Sequence, residues 1–252
     1  MIYDIQRASM WKRISAFLFD SILLGIAAVL IAWVLSGALG YDRHHAALHD
    51  AYARYGEAYG VDFSLSLSDY DAMPPERQQA LSDAYAALGA DAQAVGAYNA
   101  VVSLTLLITS LGILFAFASL EFAVPLSFGN GQTLGKKIFG LGVMRQDGVR
   151  IDGRILFIRT FLGKYTFETM VPALMIMMIW FGILGLAGTL VLLGILIFEC
   201  MLLIRRDRLT IHDALSATIA VDIASQMIFP DRASMIAYKE KIHAQQAARQ
   251  PY

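Results

Sequence analysis

Four carboxylates stand inside long apolar runs of this 252-residue chain: Asp20, Glu121, Glu168 and Glu199. An acid at membrane depth is costly unless it is paired, hydrated or protonated. Burial raises a carboxyl pKa and a nearby cation lowers it, so a proton and a bound cation compete for such a group. The chemistry these residue types offer is therefore cation or proton handling. Asp20 follows Arg13 by seven residues. That is about two helical turns, so both face the same way, and it puts Asp20 roughly 10 Å from the helix start. Asp20 is the deepest of the four and is read as an ion or proton site. The competing reading is a set of salt bridges to Arg13, Arg159, Lys164 and Arg205 that fixes helix packing. It is preferred for Glu121 and Glu168, which lie near the ends of their runs and can reach water.

The elements that position these acids follow from hydropathy. A bilayer-crossing helix needs about 20 apolar residues. Residues 14–36 form one such run, broken only by Asp20, and residues 97–125 hold a second. Residues 166–204 are charged only at Glu168 and Glu199. That stretch is too long for one crossing and long enough for two short ones. Gly182, Gly185 and Gly188 are placed to turn the chain between residues 166–181 and 187–204. Ser36-Gly37-Ala38 loosely resembles a signal cleavage site, but the run before it is long and holds an aspartate, so a retained helix is expected. Composition agrees: 57% of residues are hydrophobic, 16% are charged, and the mean hydropathy is +0.55, too apolar to cover a soluble surface. The expected fold is an all-α, four-span transmembrane bundle. A formal net charge of -1 gives no sign of a nucleic-acid partner. The single cysteine, Cys200, excludes an internal disulfide framework.

Loop charges orient the spans. Residues 37–96 carry nine acids and three arginines, whereas residues 126–165 carry seven Lys and Arg against two acids. Arg7, Lys12 and Arg13 precede the first span, and Arg205, Arg206 and Arg208 follow the fourth. Basic loops lie on the cytoplasmic side. The organisation read from this is an N-terminus and first span (1–36), an acidic extracytoplasmic helical insertion (37–96) and a second span (97–125). A basic cytoplasmic loop (126–165), a two-span hairpin (166–204) and a cytoplasmic tail (205–252) complete it. All four acids then fall in the cytoplasmic half and suggest one polar cluster opening inward.

In the insertion, Asp50-Ala51-Tyr52-Ala53 returns as Asp83-Ala84-Tyr85-Ala86, and Pro74-Pro75-Glu76 starts a helix that Gly89 can end. His45 and His49 have the spacing of a helical metal pair beside His44, but no third ligand follows from spacing, so they are read as solvated histidines and no metal is assigned. Ala28, Ala32 and Ser36, and Gly112 and Ala116, repeat at the four-residue spacing that allows close helix approach. The Met175, Met177 and Met178 group is read as lipid-facing or core filling. Gly131-Gln132-Thr133-Leu134-Gly135-Lys136 can make a tight turn whose N–H groups and lysine hold an anionic head group or a partner carboxylate. Its glycine spacing is not that of a P-loop. No catalytic triad, zinc signature or nucleotide fingerprint is found, so no enzyme activity and no cofactor are expected.

Residues 10–20, Met-Trp-Lys-Arg-Ile-Ser-Ala-Phe-Leu-Phe-Asp, resemble the opening of the RDD family of membrane proteins. Gly131 to Leu141 resembles that family's cytoplasmic loop motif. Arg205-Arg206, Ile211-His212-Asp213 and the stretch 218–221 resemble its closing segment. The resemblance covers about residues 8–222 apart from the outer segment, and it departs in the long insertion and the extra hairpin span. It implies motif positions Arg13, Asp20 and Asp213, and a transporter, with cation/proton antiport proposed for some members. The expectation is a bacterial inner-membrane protein, both termini cytoplasmic, that moves or exchanges a monovalent cation or proton. Arg13 would tune Asp20, and Asp213 would sit at the cytoplasmic mouth beside a basic residue of the Gly131 loop. A homo-oligomer is compatible with this. The alternative is a non-transporting scaffold that recruits a partner or anionic lipid through the basic loop and tail.

Overall fold

The computed structural model describes residues 8–65, 67–180, 185–204 and 210–249. The chain is mostly helical and divides into two compact units, residues 27–113 and the remainder. The division falls within α1 (Met10–Leu39) and α5 (Ala92–Ala116).

In the unit of residues 27–113, α2 (Tyr41–Tyr59), α3 (Leu67–Asp71) and α4 (Pro75–Ala90) follow α1. Gly40 and Gly60 flank α2 with φ of 69° and 62°, left-handed values that cost glycine little. Helix α4 begins at the proline, as expected, and runs one residue past Gly89. Ala51, Leu88 and Ala94 form its small core with Tyr52, Tyr55 and Phe63 against it. Small residues also act as the spacing implied: a Cβ on Gly112 would stand 3.0 Å from the Ala28 carbonyl oxygen, so the two backbones are close.

The other unit holds Arg13, Asp20, Glu121, Glu168 and Asp213. After α5 the helix continues through a π-helical segment, Phe117–Ala123, into α6 (Val124–Phe128). A tight turn leads to α7 (Leu134–Ile138) and β1 (Leu141–Arg145). Then α8 (Gly153–Phe157), a second π segment (Ile158–Met170) and α9 (Val171–Trp180) form one continuous helix. Helix α10 (Gly185–Ile204) follows and packs against α9. The last elements are α11 (Ile211–Leu215), β2 (Thr218–Asp222) and α12 (Arg232–Arg249). Gly185 adopts φ 54°, consistent with a turn entering α10, while Gly182 lies outside the described residues.

The all-α expectation needs one correction. β1 and β2 pair antiparallel, from Leu141 opposite Asp222 to Arg145 opposite Thr218. Both strands are five residues long and buried on both faces over their first four residues, so neither shows the alternation that marks a half-exposed strand. Met144, Ile219 and Val221 pack together here, and Val143, Ile151 and Leu156 form an adjoining cluster. The stretch read as a basic loop is thus an ordered layer, and Arg154, Arg159 and Lys164 stand on a helix that starts at Gly153.

The two π segments share a cause. Each is followed by Val-Pro, and each proline lies four residues after an acid: Glu121 before Pro125, Glu168 before Pro172. A helical proline has no N–H and its ring crowds the carbonyl four residues back. The chain answers by widening. The N–H groups of Val124 and Val171 reach the carbonyls of Ser119 and Thr166, five residues back. The freed Glu121 carbonyl accepts a hydrogen bond from the Thr160 hydroxyl at 2.9 Å.

Among the described residues, two helices, Met10–Leu39 and Ala92–Phe128, are long and apolar enough to cross a membrane.

Candidate functional site

Asp20 projects from α1 onto the turn that precedes α7. The Gly135 N–H donates to Asp20 Oδ1 at 2.7 Å, and the Thr133 hydroxyl donates to Oδ2. Thr133 also caps α7 by accepting from the Lys136 N–H. Glycine at 135 is needed for this approach: a Cβ there would lie 2.5 Å from the Ala16 carbonyl oxygen and 2.9 Å from the Asp20 carboxyl. The anion held by the Gly131–Lys136 turn is therefore the chain's own carboxylate. Gly131, at φ 61°, packs where a Cβ would meet Ile151 at 2.3 Å, and the Gln132 amide donates to the Leu141 carbonyl at 2.7 Å.

Lys136 turns inward. Its Nζ lies 3.2 Å from Thr133 Oγ1 and 4.0 Å from Asp20 Oδ2. Burial, and after it the repulsion of Lys164, pulls the ammonium pKa down to about 7 against the attraction of Glu121 and Asp20. Glu121, on the first π segment, pairs with Lys164 on the second. Glu168, near the end of the second, accepts the His212 backbone N–H at 2.9 Å and faces His212 Nδ1 at 2.7 Å. A carboxylate only accepts, which puts the ring proton of a neutral His212 on Nδ1. Burial, then the Arg159 guanidinium, lowers the His212 pKa against Asp213 and Glu168. Gly163 allows α11 this close: a Cβ there would be 2.5 Å from the His212 Cβ.

Asp213 is wholly buried. It pairs with Arg159, and Arg13 reaches its Oδ2 at 3.3 Å. Thr210 donates to Oδ2 at 3.0 Å and Thr218 to Oδ1 at 3.3 Å. Burial alone would raise the carboxyl pKa, but Arg159, His212 and Arg13 outweigh it and hold it well below the usual range.

Sequence reasoning placed Arg13 beside Asp20 and Asp213 beside the Gly131 loop. Arg13 reaches Asp213, and the Gly131 loop takes Asp20. Arg13 and Asp20 share a helix face, but α11 offers Arg13 a carboxylate there. Asp20 faces Lys136, Glu121 pairs with Lys164, and Glu168 and Asp213 meet through His212, with Arg159 on Asp213. The side chain of Glu199 lies outside the described residues, as do Arg205 and Arg206. Sequence reasoning passed over His212 as a partner and Thr133 as a ligand to Asp20. A signal for the two paired acids was present in the sequence: Glu-x-x-Val-Pro occurs at 121–125 and again at 168–172. In the other unit, the His45 ring stacks on Tyr41, centroids 5.8 Å apart.

Compared with known proteins, the chain matches the family model described as the RDD family over residues 7–217. No curated protein and no solved structure matches it.

Proposed function

The chain belongs to the RDD family, and on that premise we propose that it exchanges a monovalent cation for a proton across the bacterial inner membrane, with Asp20 as the coupling carboxylate. The observation that carries this is the setting of Asp20: a buried intramembrane acid held by neutral donors, with one ammonium, Lys136, 4.0 Å away. Lys136 loses its proton near neutrality. While charged, it balances Asp20. Once neutral, it leaves a carboxylate that a cation entering from the membrane-facing side can balance, with Thr133 Oγ1 as a further oxygen ligand. Binding and protonation then alternate at adjacent groups.

The accompanying topology is four spans, with the acidic residues 37–96 outside and both termini inside. It draws support from loop charge and from α1, whose Trp11 and Trp33 are 79% and 75% exposed. At the helical rise they stand about 33 Å apart, close to the ~30 Å hydrocarbon thickness whose borders tryptophan favours. The π segments beside Pro125 and Pro172 are natural points of bending.

A scaffold without transport is the second reading. It is favoured by the observation that no described buried polar side-chain atom lacks a partner, as in a static clamp. Flux in liposomes separates the two. With Asp20→Asn, a neutral amide can neither release a proton nor balance a cation, so exchange is lost; Asp20→Glu keeps partial flux. Wild-type flux in Asp20→Asn decides for the scaffold.

A further inference from the structure

The turn that sequence reasoning offered to an anionic lipid is filled by Asp20, and Lys136 points inward with it. Of the cations in residues 126–165, Lys137, Arg150 and Arg154 are exposed and remain, and the first two meet at one corner. Lys137 is exposed, with Nζ 3.8 Å from the centroid of the Phe128 ring. Arg150 is exposed and lies over Gly129, where a Cβ would stand 2.2 Å from its Nη2. Gly129 adopts φ 76°, so both the backbone and the space there call for glycine. Lys12, Arg13, Arg145, Arg159 and Lys164 each have a carboxylate partner. Among the described residues, no carboxylate pairs with Lys137, Arg150 or Arg154, and of these Lys137 and Arg150 flank the Phe128–Gly129 corner.

Their surroundings are apolar. Ile138, beside Lys137, is 63% exposed, and Leu126, two residues before Phe128, is 51% exposed. Phe157 is 52% exposed and meets Phe122 edge-on, one helical turn from Leu126. Cations set among exposed aliphatic and aromatic side chains match the boundary between lipid head groups and acyl chains.

We infer that Lys137 and Arg150, flanking the Phe128–Gly129 corner, hold the phosphate of an anionic phospholipid whose acyl chains lie against Leu126, Ile138 and Phe157. The inference rests on the topology proposed above for its leaflet, the inner one, and not on transport. Free phosphate would satisfy the cations but leave the apolar side chains uncovered, so the lipid is the occupant.

The test is native mass spectrometry of the full chain in detergent with an equimolar mixture of phosphatidylglycerol and phosphatidylcholine of matched chains. Wild type retains phosphatidylglycerol preferentially. Lys137→Gln and Arg150→Gln each reduce the preference on the order of fivefold, while Arg77→Gln, on α4, leaves it unchanged. Lys137→Arg with Arg150→Lys retains it. High salt weakens the wild-type preference, a reading that needs no variant to fold. No preference in wild type, no loss in the double glutamine variant, or an equal loss in Arg77→Gln overturns the inference. Asp20→Asn keeps the lipid preference whether or not flux is lost, so failure of the lipid site and failure of the exchange reading are told apart.

Discussion

At the residue scale, Lys136 and Asp213 differ in what their charge does. Lys136 is drawn down to about pH 7 beside Asp20, so below that pH its ammonium competes with a cation for Asp20, and above it the competition fades. Exchange in liposomes should rise between about pH 6 and 8, and Lys136→Gln should flatten that rise. Asp213 is buried between Arg159 and Arg13. Removing one member of a buried pair strands the other, so Asp213→Asn should cost about 3–5 kcal/mol, read as a lower unfolding midpoint in detergent. The folded pKa of Asp213 is depressed, so its stabilisation is present above the usual carboxyl range and is lost only in strong acid. His212 is also depressed. The unfolded chain then takes up its proton first, and stability should decline as pH falls below about 6.5. His212→Gln should remove that part of the slope.

At the element scale, the second and third apolar helices each carry a Glu-x-x-Val-Pro turn that opens into a π segment. Pro172→Ala restores a backbone N–H and relieves crowding of the Glu168 carbonyl. If these segments bend during exchange, Pro172→Ala should hold or raise the unfolding midpoint while lowering flux; unchanged flux assigns the π segment to packing alone. Close approach makes a second demand. Gly135→Ala and Gly163→Ala would each place a Cβ 2.5 Å from a neighbour, the Ala16 carbonyl oxygen or the His212 Cβ. Overpacking of this kind costs about 1–3 kcal/mol. Hydropathy made α1, α5 and α10 legible, because each is a long apolar run. It could not show β1 and β2, which are buried on both faces except at Arg145 and Asp222 and pair across more than seventy positions of sequence.

At the scale of the whole molecule, charge asymmetry is the property to test. A cysteine near Glu57 should react with an impermeant thiol reagent from outside, and one near Gly148 should react only after the membrane is opened, with Cys200 replaced by alanine in both. The reverse pattern would invert the proposed topology and move the lipid site to the other leaflet.

Composition and hydropathy were sufficient for a membrane protein and for the runs that hold Asp20, Glu121 and Glu168, whereas Asp213, outside any apolar run, was singled out only by the resemblance to the RDD family. Such runs are local properties: a helix declares its hydropathy within about 20 residues, and an acid within it stands out wherever the helix packs. The pairing of those acids is not local. Arg13 and Asp213 are 200 residues apart, and Asp20 and Thr133 are 113 apart. Several cations lay within reach of each acid on charge alone. Only packing chose among them, because the missing Cβ atoms of Gly135 and Gly163 let α7 and α11 come close enough for Thr133 to meet Asp20 and for His212 to meet Glu168.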